Sequence, residues 1–130
     1  MVGMQATSPL REPADLDNAL AKFDSDGLDS LLSVVEITDF FVWQSSSDGT
    51  FKSVNYDHRD RRRRQAIEPQ FRENGSFYVF RPGLLRTESN RLGGRIGAYI
   101  MEPHKIFQID SPEDLKLCEI IMSGYGLDRL

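Results

Sequence analysis

Residues 13–37, PADLDNALAKFDSDGLDSLLSVVEI, decide the fold. Pro13 suits the first turn of a helix, where its missing N–H leaves no bond unmade, and Asp15 follows to meet the positive helix end. Leu16, Ala19, Leu20 and Phe23 recur at i, i+3, i+4 and i+7, one apolar stripe along a helix. Gly27 ends that helix. Ser30 to Ile37 is then a nearly continuous apolar, β-branched run, the pattern of a buried strand. A helix feeding such a strand predicts an α/β fold.

Toward the amino end, Val2 to Gln5 reads as the last residues of a strand that Thr7-Ser8-Pro9 breaks. An open parallel sheet ordinarily starts with a strand, a phosphate-cradling turn and a helix. Here a strand end comes first, so the sequence reads as starting in the middle of a domain. Toward the carboxyl end, Phe40 to Trp43 and Phe51 to Val54 flank SSSDGT, whose Asp48-Gly49 is a hairpin-turn signal. These residues predict a β-arm over about 40–70. Ser76 to Phe80 reads as a strand, Pro82 to Leu85 as one helical turn, and Ile96 to Met101 as a further strand. Ser111-Pro112-Glu113-Asp114 gives a capping serine, a proline at N1 and an acidic first turn. Leu115, Cys118 and Ile121, widened by Leu117 and Met122, supply an apolar face for that last helix.

The chain has 130 residues, 39% hydrophobic and 28% charged, which fits one small globular domain over 1–130. Its net charge of −4 argues against a nucleic-acid-binding surface as the main function. No apolar run approaches the roughly 18–20 residues that cross a bilayer, and the amino terminus lacks the pattern of a secretion signal. The one cysteine, Cys118, excludes an internal disulfide and suits a reducing cytoplasm. His58 and His104 lack the spacing of a zinc site. Arg59 and Arg61 to Arg64, taken alone, read as a solvated charged face, or more weakly as an anion or nucleic-acid patch.

Four segments, in order, carry a family resemblance: Gln5 to Arg11 (QATSPLR), Arg63 to Gln65 ahead of Phe71 to Tyr78 (FRENGSFY), Arg91 to Gly94 (RLGG), and Gln108 to Leu115 (QIDSPEDL). Their order and spacing resembles the acylneuraminate cytidylyltransferases, which include the synthetases of CMP-sialic acid and CMP-legionaminic acid. The resemblance spans about residues 2 to 125. It implies a partial Rossmann-like three-layer α/β/α nucleotidyltransferase fold with a projecting β-arm for dimerisation. It also implies transfer of CMP from CTP to a nonulosonic 2-keto sugar acid, with pyrophosphate released and Mg2+ assisting. The amino-terminal phosphate-binding loop of that family has no counterpart ahead of Gln5, so this chain alone is expected not to turn over CTP. A non-catalytic module keeping the sugar pocket or the dimer arm is the alternative.

A sugar acid carries a carboxylate, best met by a planar guanidinium that donates two parallel hydrogen bonds. Arg64 is that candidate, with Arg72 in support. Neutral donors and acceptors come from Gln5, Gln65 and Asn74, and an apolar wall from Tyr78 with Phe77. On the resemblance, Gln5 and Arg64 touch the sugar, Arg63 and Gln65 lie alongside, Tyr78 lines the pocket, and Arg63, Arg64 and Asp110 are the catalytic set. Family members often carry Asp-x-Asp before the last helix, whereas this chain has Gln108-Ile109-Asp110. Asp110 is then the one carboxylate for Mg2+, and a candidate base for the attacking hydroxyl.

Overall fold

The computed structural model describes residues 1–38, 41–61 and 68–129. Four strands form the main sheet: β1 (Val2–Met4), β2 (Ser30–Ile37), β5 (Gln70–Phe80) and β6 (Ile96–Met101), in the order β1-β5-β2-β6. β1 runs antiparallel to β5, with Gly3 opposite Tyr78, and β2 runs parallel to β6, with Leu31 opposite Gly97. The fold is therefore mixed α/β with a parallel pair, as the helix-then-strand pattern predicts. The chain divides into two compact units, one of residues 1–35 and 72–130 and the other Glu36–Phe71.

In the first unit, α1 (Pro13–Ser25) opens with Pro13 in its first turn, and the Asp15 carboxylate accepts from the Glu12 N–H at 2.8 Å. Ala19 and Phe23 of α1 pack on Leu31, Val35, Phe77, Val79 and Met101, forming the larger core on one face of the sheet. Leu16 adds to it from the edge, while Leu20, expected in the same stripe, is exposed. The other face carries Tyr78, Phe80 and Leu84, with Leu32 and Leu92 against them. Leu84 belongs to α2 (Pro82–Thr87), slightly longer than the single turn expected.

The last helix, α3 (Pro112–Tyr125), begins as its sequence predicts: the Ser111 hydroxyl accepts from the Asp114 N–H at 3.2 Å. Its expected apolar face is corrected in part: Cys118 is buried and Ile121 and Met122 are half-buried, whereas Leu115 and Leu117 are exposed. A short 3-10 helix at Pro103–Ile106, which carries no periodic signal in the sequence, precedes it. There the His104 ring stacks on Tyr125 with centroids 3.8 Å apart.

The second unit holds the expected hairpin, β3 (Trp43–Ser45) against β4 (Phe51–Ser53), with Gln44 opposite Lys52. The first strand lies further along than Phe40 to Trp43. Asp48 accepts from both the N–H and the hydroxyl of Thr50, and Gly49 has φ +82, so the Asp-Gly signal is read correctly. Tyr56 packs on Phe41 and Trp43 at centroid distances of 4.5 and 5.9 Å, and the Arg61 guanidinium lies 4.6 Å from the Phe41 ring.

Candidate active site

Gly75 determines which residues can meet. It sits inside β5 with φ +66, a conformation open to glycine and costly for most other residues. The frame of the strand shifts there. Asn74 and Phe77, three apart, both face the larger core: the Asn74 amide donates to Met101 Sδ, and Met101 packs with Phe77. Glu73 and Tyr78, five apart, meet on the opposite face, where the Tyr78 hydroxyl donates to the Glu73 carboxylate. Simple alternation forbids both pairings, so the stretch behaves as a bulge. Alternation before Gly75 then puts Arg72 on the side of Asn74, away from Tyr78.

Gln5 continues the β1–β5 ladder, its N–H donating to the Ser76 carbonyl at 3.4 Å. Cross-strand partners share a face, so Gln5 and Ser76 lie on the side of Gly3 and Tyr78. The Gln5 side chain lies directly against Gly75, where a Cβ on that glycine would collide with its Oε1. The turn after Gln5 is pinned by Arg11, whose Nη1 donates to the carbonyls of Ser8, Gln5 and Ser76 at 2.6, 3.1 and 3.3 Å. Arg11 thus serves the backbone of QATSPLR. The Ser8 hydroxyl adds a bond to the Asn74 carbonyl at 3.1 Å.

Asn74 is fully buried, and its amide is spoken for. Nδ2 donates to the Lys105 carbonyl at 2.9 Å and to Met101 Sδ at 3.2 Å. Oδ1 accepts from the Ser33 hydroxyl at 2.6 Å and from the Ser76 N–H at 3.3 Å. Two donors and two acceptor sites are the whole capacity of the group, so Asn74 knits β2, β5 and the 3-10 helix together and presents nothing outward. Tyr78 is also covered, at 2% exposure, and its ring carries the Arg91 guanidinium 3.6 Å above the centroid. Burial first, and the Glu73 carboxylate second, push its phenol above the ordinary value of 10.0. Sequence reasoning picked out Tyr78 and missed Glu73 and Arg91. The RLGG segment was the available signal for Arg91.

Lys105 was also missed. Its Nζ is buried and bonds Glu12 at 2.7 Å, Asp15 at 2.8 Å and Glu102 at 2.8 Å, one carboxylate for each of its three donors. Burial draws its pKa down, but the carboxylates, Asp15 foremost, outweigh that and hold it above the ordinary 10.5. The same contact holds Glu102 below the ordinary 4.5. This network ties the start of α1 to the 3-10 helix and so fixes the approach to residues 107–110. There the Ile109 N–H donates to the Thr7 carbonyl at 2.8 Å. The QATSPLR turn and the Gln108-Ile109-Asp110 segment are therefore direct neighbours through their backbones.

Asp110 is exposed, and its N–H is bonded by Asp114 at 3.1 Å. The Asp114 carboxylate is occupied in capping α3, where the Ser111 hydroxyl holds its pKa below 3.8. Among the described residues no cluster of three or more acids, histidines or cysteines is placed to hold a metal. Arg63, Arg64 and Gln65 lie outside the described residues.

No family model matches the chain. It is similar to the N-acylneuraminate cytidylyltransferase of Oncorhynchus mykiss, 34% identical over 132 residues, which cover 97% of this chain and 30% of that protein. It is 35% identical over 127 residues to N-acylneuraminate cytidylyltransferase B of Danio rerio, covering 94% of this chain and 30% of that one. The post-translational flagellin modification protein B of Campylobacter coli is 27% identical over 132 residues, with 98% of this chain and 54% of that protein covered. The chain thus spans about a third to a half of the length of these relatives. Among the described residues no helix is long and apolar enough to cross a membrane. Over the stretch it shares with them, the chain is similar to the acylneuraminate cytidylyltransferases.

Proposed function

We propose that the chain carries the sugar-acid side of a cytidylyltransferase acting on a sialic-acid-like 2-keto sugar acid and CTP. In that reaction the anomeric hydroxyl oxygen attacks the α-phosphorus, the bond to the leaving pyrophosphate breaks, and the hydroxyl proton passes to a base. The observation that carries the reading is the Thr7–Ile109 hydrogen bond. It joins the segment before α3 to the turn that begins with Gln5, and this supports assigning Asp110 as the base and Gln5 as a sugar ligand of one site. Arg64 is assigned the carboxylate of the sugar acid, with Arg63 and Gln65 alongside and Arg72 in a supporting part. Tyr78 contributes as a floor beneath Arg91, and Asn74 by holding the loop in shape.

Mg2+, when bound, neutralises developing charge on the phosphates. An exposed single carboxylate fits a cation that takes most of its oxygen ligands from triphosphate and water, so Asp110 is the residue assigned to it. Gln108 orients a water without adding charge. A two-stranded hairpin is marginal in water by itself, which supports a homodimer formed through the β3–β4 arm. A lone buried thiol at Cys118 is consistent with a cytoplasmic setting.

A second reading, a non-catalytic module that keeps the sugar pocket or the dimer arm, is favoured by the neutral Gln108 where the family often has an acid. Calorimetric titration with N-acetylneuraminic acid and with CTP, joined to a pyrophosphate-release assay, separates the two. Binding of both with turnover supports the enzyme, and binding of the sugar acid alone supports the module. Absence of sugar-acid binding overturns the enzyme and the sugar-pocket module, and leaves a module that keeps the dimer arm alone.

A further inference from the structure

We infer that Gly75 is the positioning residue for the Gln5 amide, and that the bulge it creates sets where the neutral hydrogen-bonding group of the ligand is met. The inference rests on the sugar-acid reading above and deepens it. Gly75 meets two conditions together. Its φ of +66 turns the strand so that Glu73 and Asn74 take their observed faces, and its missing Cβ leaves the space into which the Gln5 side chain lies. The Ser8 hydroxyl borders the same space, 3.4 Å from where that Cβ would stand. Around this space the backbone is held fast: Arg11 bonds the carbonyls of Gln5 and Ser76, one on each of the two neighbouring strands, and the Asn74 side chain accepts from the Ser76 N–H. The backbone cannot give way easily, so a side chain at 75 must displace the Gln5 amide instead.

Two substitutions separate conformation from space. Gly75→Asn adds a Cβ while keeping a residue that tolerates positive φ, and Gln5→Ala removes the amide with the glycine intact. Each folded variant, checked by circular dichroism, is expected to bind N-acetylneuraminic acid about tenfold more weakly than wild type, the scale of one lost hydrogen bond. The double variant is expected to bind no worse than Gln5→Ala, because Gly75 acts through Gln5. Losses that multiply in the double variant, or a folded Gly75→Asn with wild-type affinity, overturn the inference.

Side-chain NH2 resonances of Gln5 supply a readout that needs no ligand. They are expected to show a nuclear Overhauser contact to the Gly75 α-protons in wild type and to shift in Gly75→Asn; unshifted resonances overturn the positioning role. A wild-type chain with this contact but no affinity for the sugar acid overturns the proposed function and leaves only the packing of Gln5 on Gly75.

Discussion

The Lys105 ammonium and the Asp15 carboxylate lie 2.8 Å apart across 90 residues of sequence, and both are buried. Removing water from such a pair is costly, and the arrangement persists because Glu12 and Glu102 take the other two donors of the lysine. The pair joins the first helix to the segment that leads to Asp110.

Lys105→Met is expected to lower stability by about 3–5 kcal/mol, because it strands the Asp15 charge in the interior. Urea denaturation followed by tryptophan fluorescence or circular dichroism measures this. A loss under about 1 kcal/mol would show that the network contributes little.

The network also sets a pH window. The folded pKa of Lys105 lies above 10.5, so its contribution is complete below that value and is lost as pH climbs through the folded value. Glu102 is depressed below 4.5, so its contribution is present above that value and fades as pH falls through the folded value. Melting temperature is therefore expected to hold steady through neutral pH and to fall at both extremes. Glu102→Gln should flatten part of the acid limb.

Asn74→Ala is expected to cost about 2–3 kcal/mol, because the Ser33 hydroxyl, the Ser76 N–H and the Lys105 carbonyl all lose a buried partner. Chemical denaturation reads the loss. A variant of unchanged stability that has lost only ligand affinity would show that the amide faces a ligand after all.

Of the four tyrosines, Tyr78 is expected to ionise at higher pH than an ordinary phenol. The shift favours the neutral form in the folded chain, so stability falls as pH rises past 10.0. Difference absorbance at alkaline pH, compared between wild type and Tyr78→Phe, isolates that residue. Removing the hydroxyl should cost about 1 kcal/mol through the lost bond to Glu73.

Cys118 is expected to resist thiol reagents in the native state. Burial, and then the Asp114 charge, raise its pKa, and its side chain is covered. Labelling by a disulfide reagent should proceed at the rate of opening rather than of free thiol. Rapid labelling of the folded chain would place Cys118 at the surface.

Local signals carried most of the fold. Pro13, Ser111-Pro112, Asp48-Gly49 and the run from Ser30 to Ile37 each encode a start, a turn or a buried strand within a few residues, and each stands where its chemistry predicts. Long-range relationships were not legible. Asp15 reads as an acid placed for the helix dipole, and nothing near it announces a buried ammonium 90 residues later. Asn74 looks like a free amide until Ser33, Met101 and Lys105 surround it. The shift of frame at Gly75 was equally hidden, because a glycine between Asn and Ser reads as a turn. For the candidate site, sequence found the segments, while the pairing of Thr7 with Ile109 and the stacking of Arg91 on Tyr78 came from the tertiary fold.

The irregularity in β5 makes one residue of that strand's length unnecessary for deciding which side chains turn inward. With Gly75 deleted, plain alternation would still set Asn74 on the side of Phe77 and Glu73 on the side of Tyr78. A one-codon gap at that glycine is thus a straightening of the strand, and it leaves inside and outside where they are.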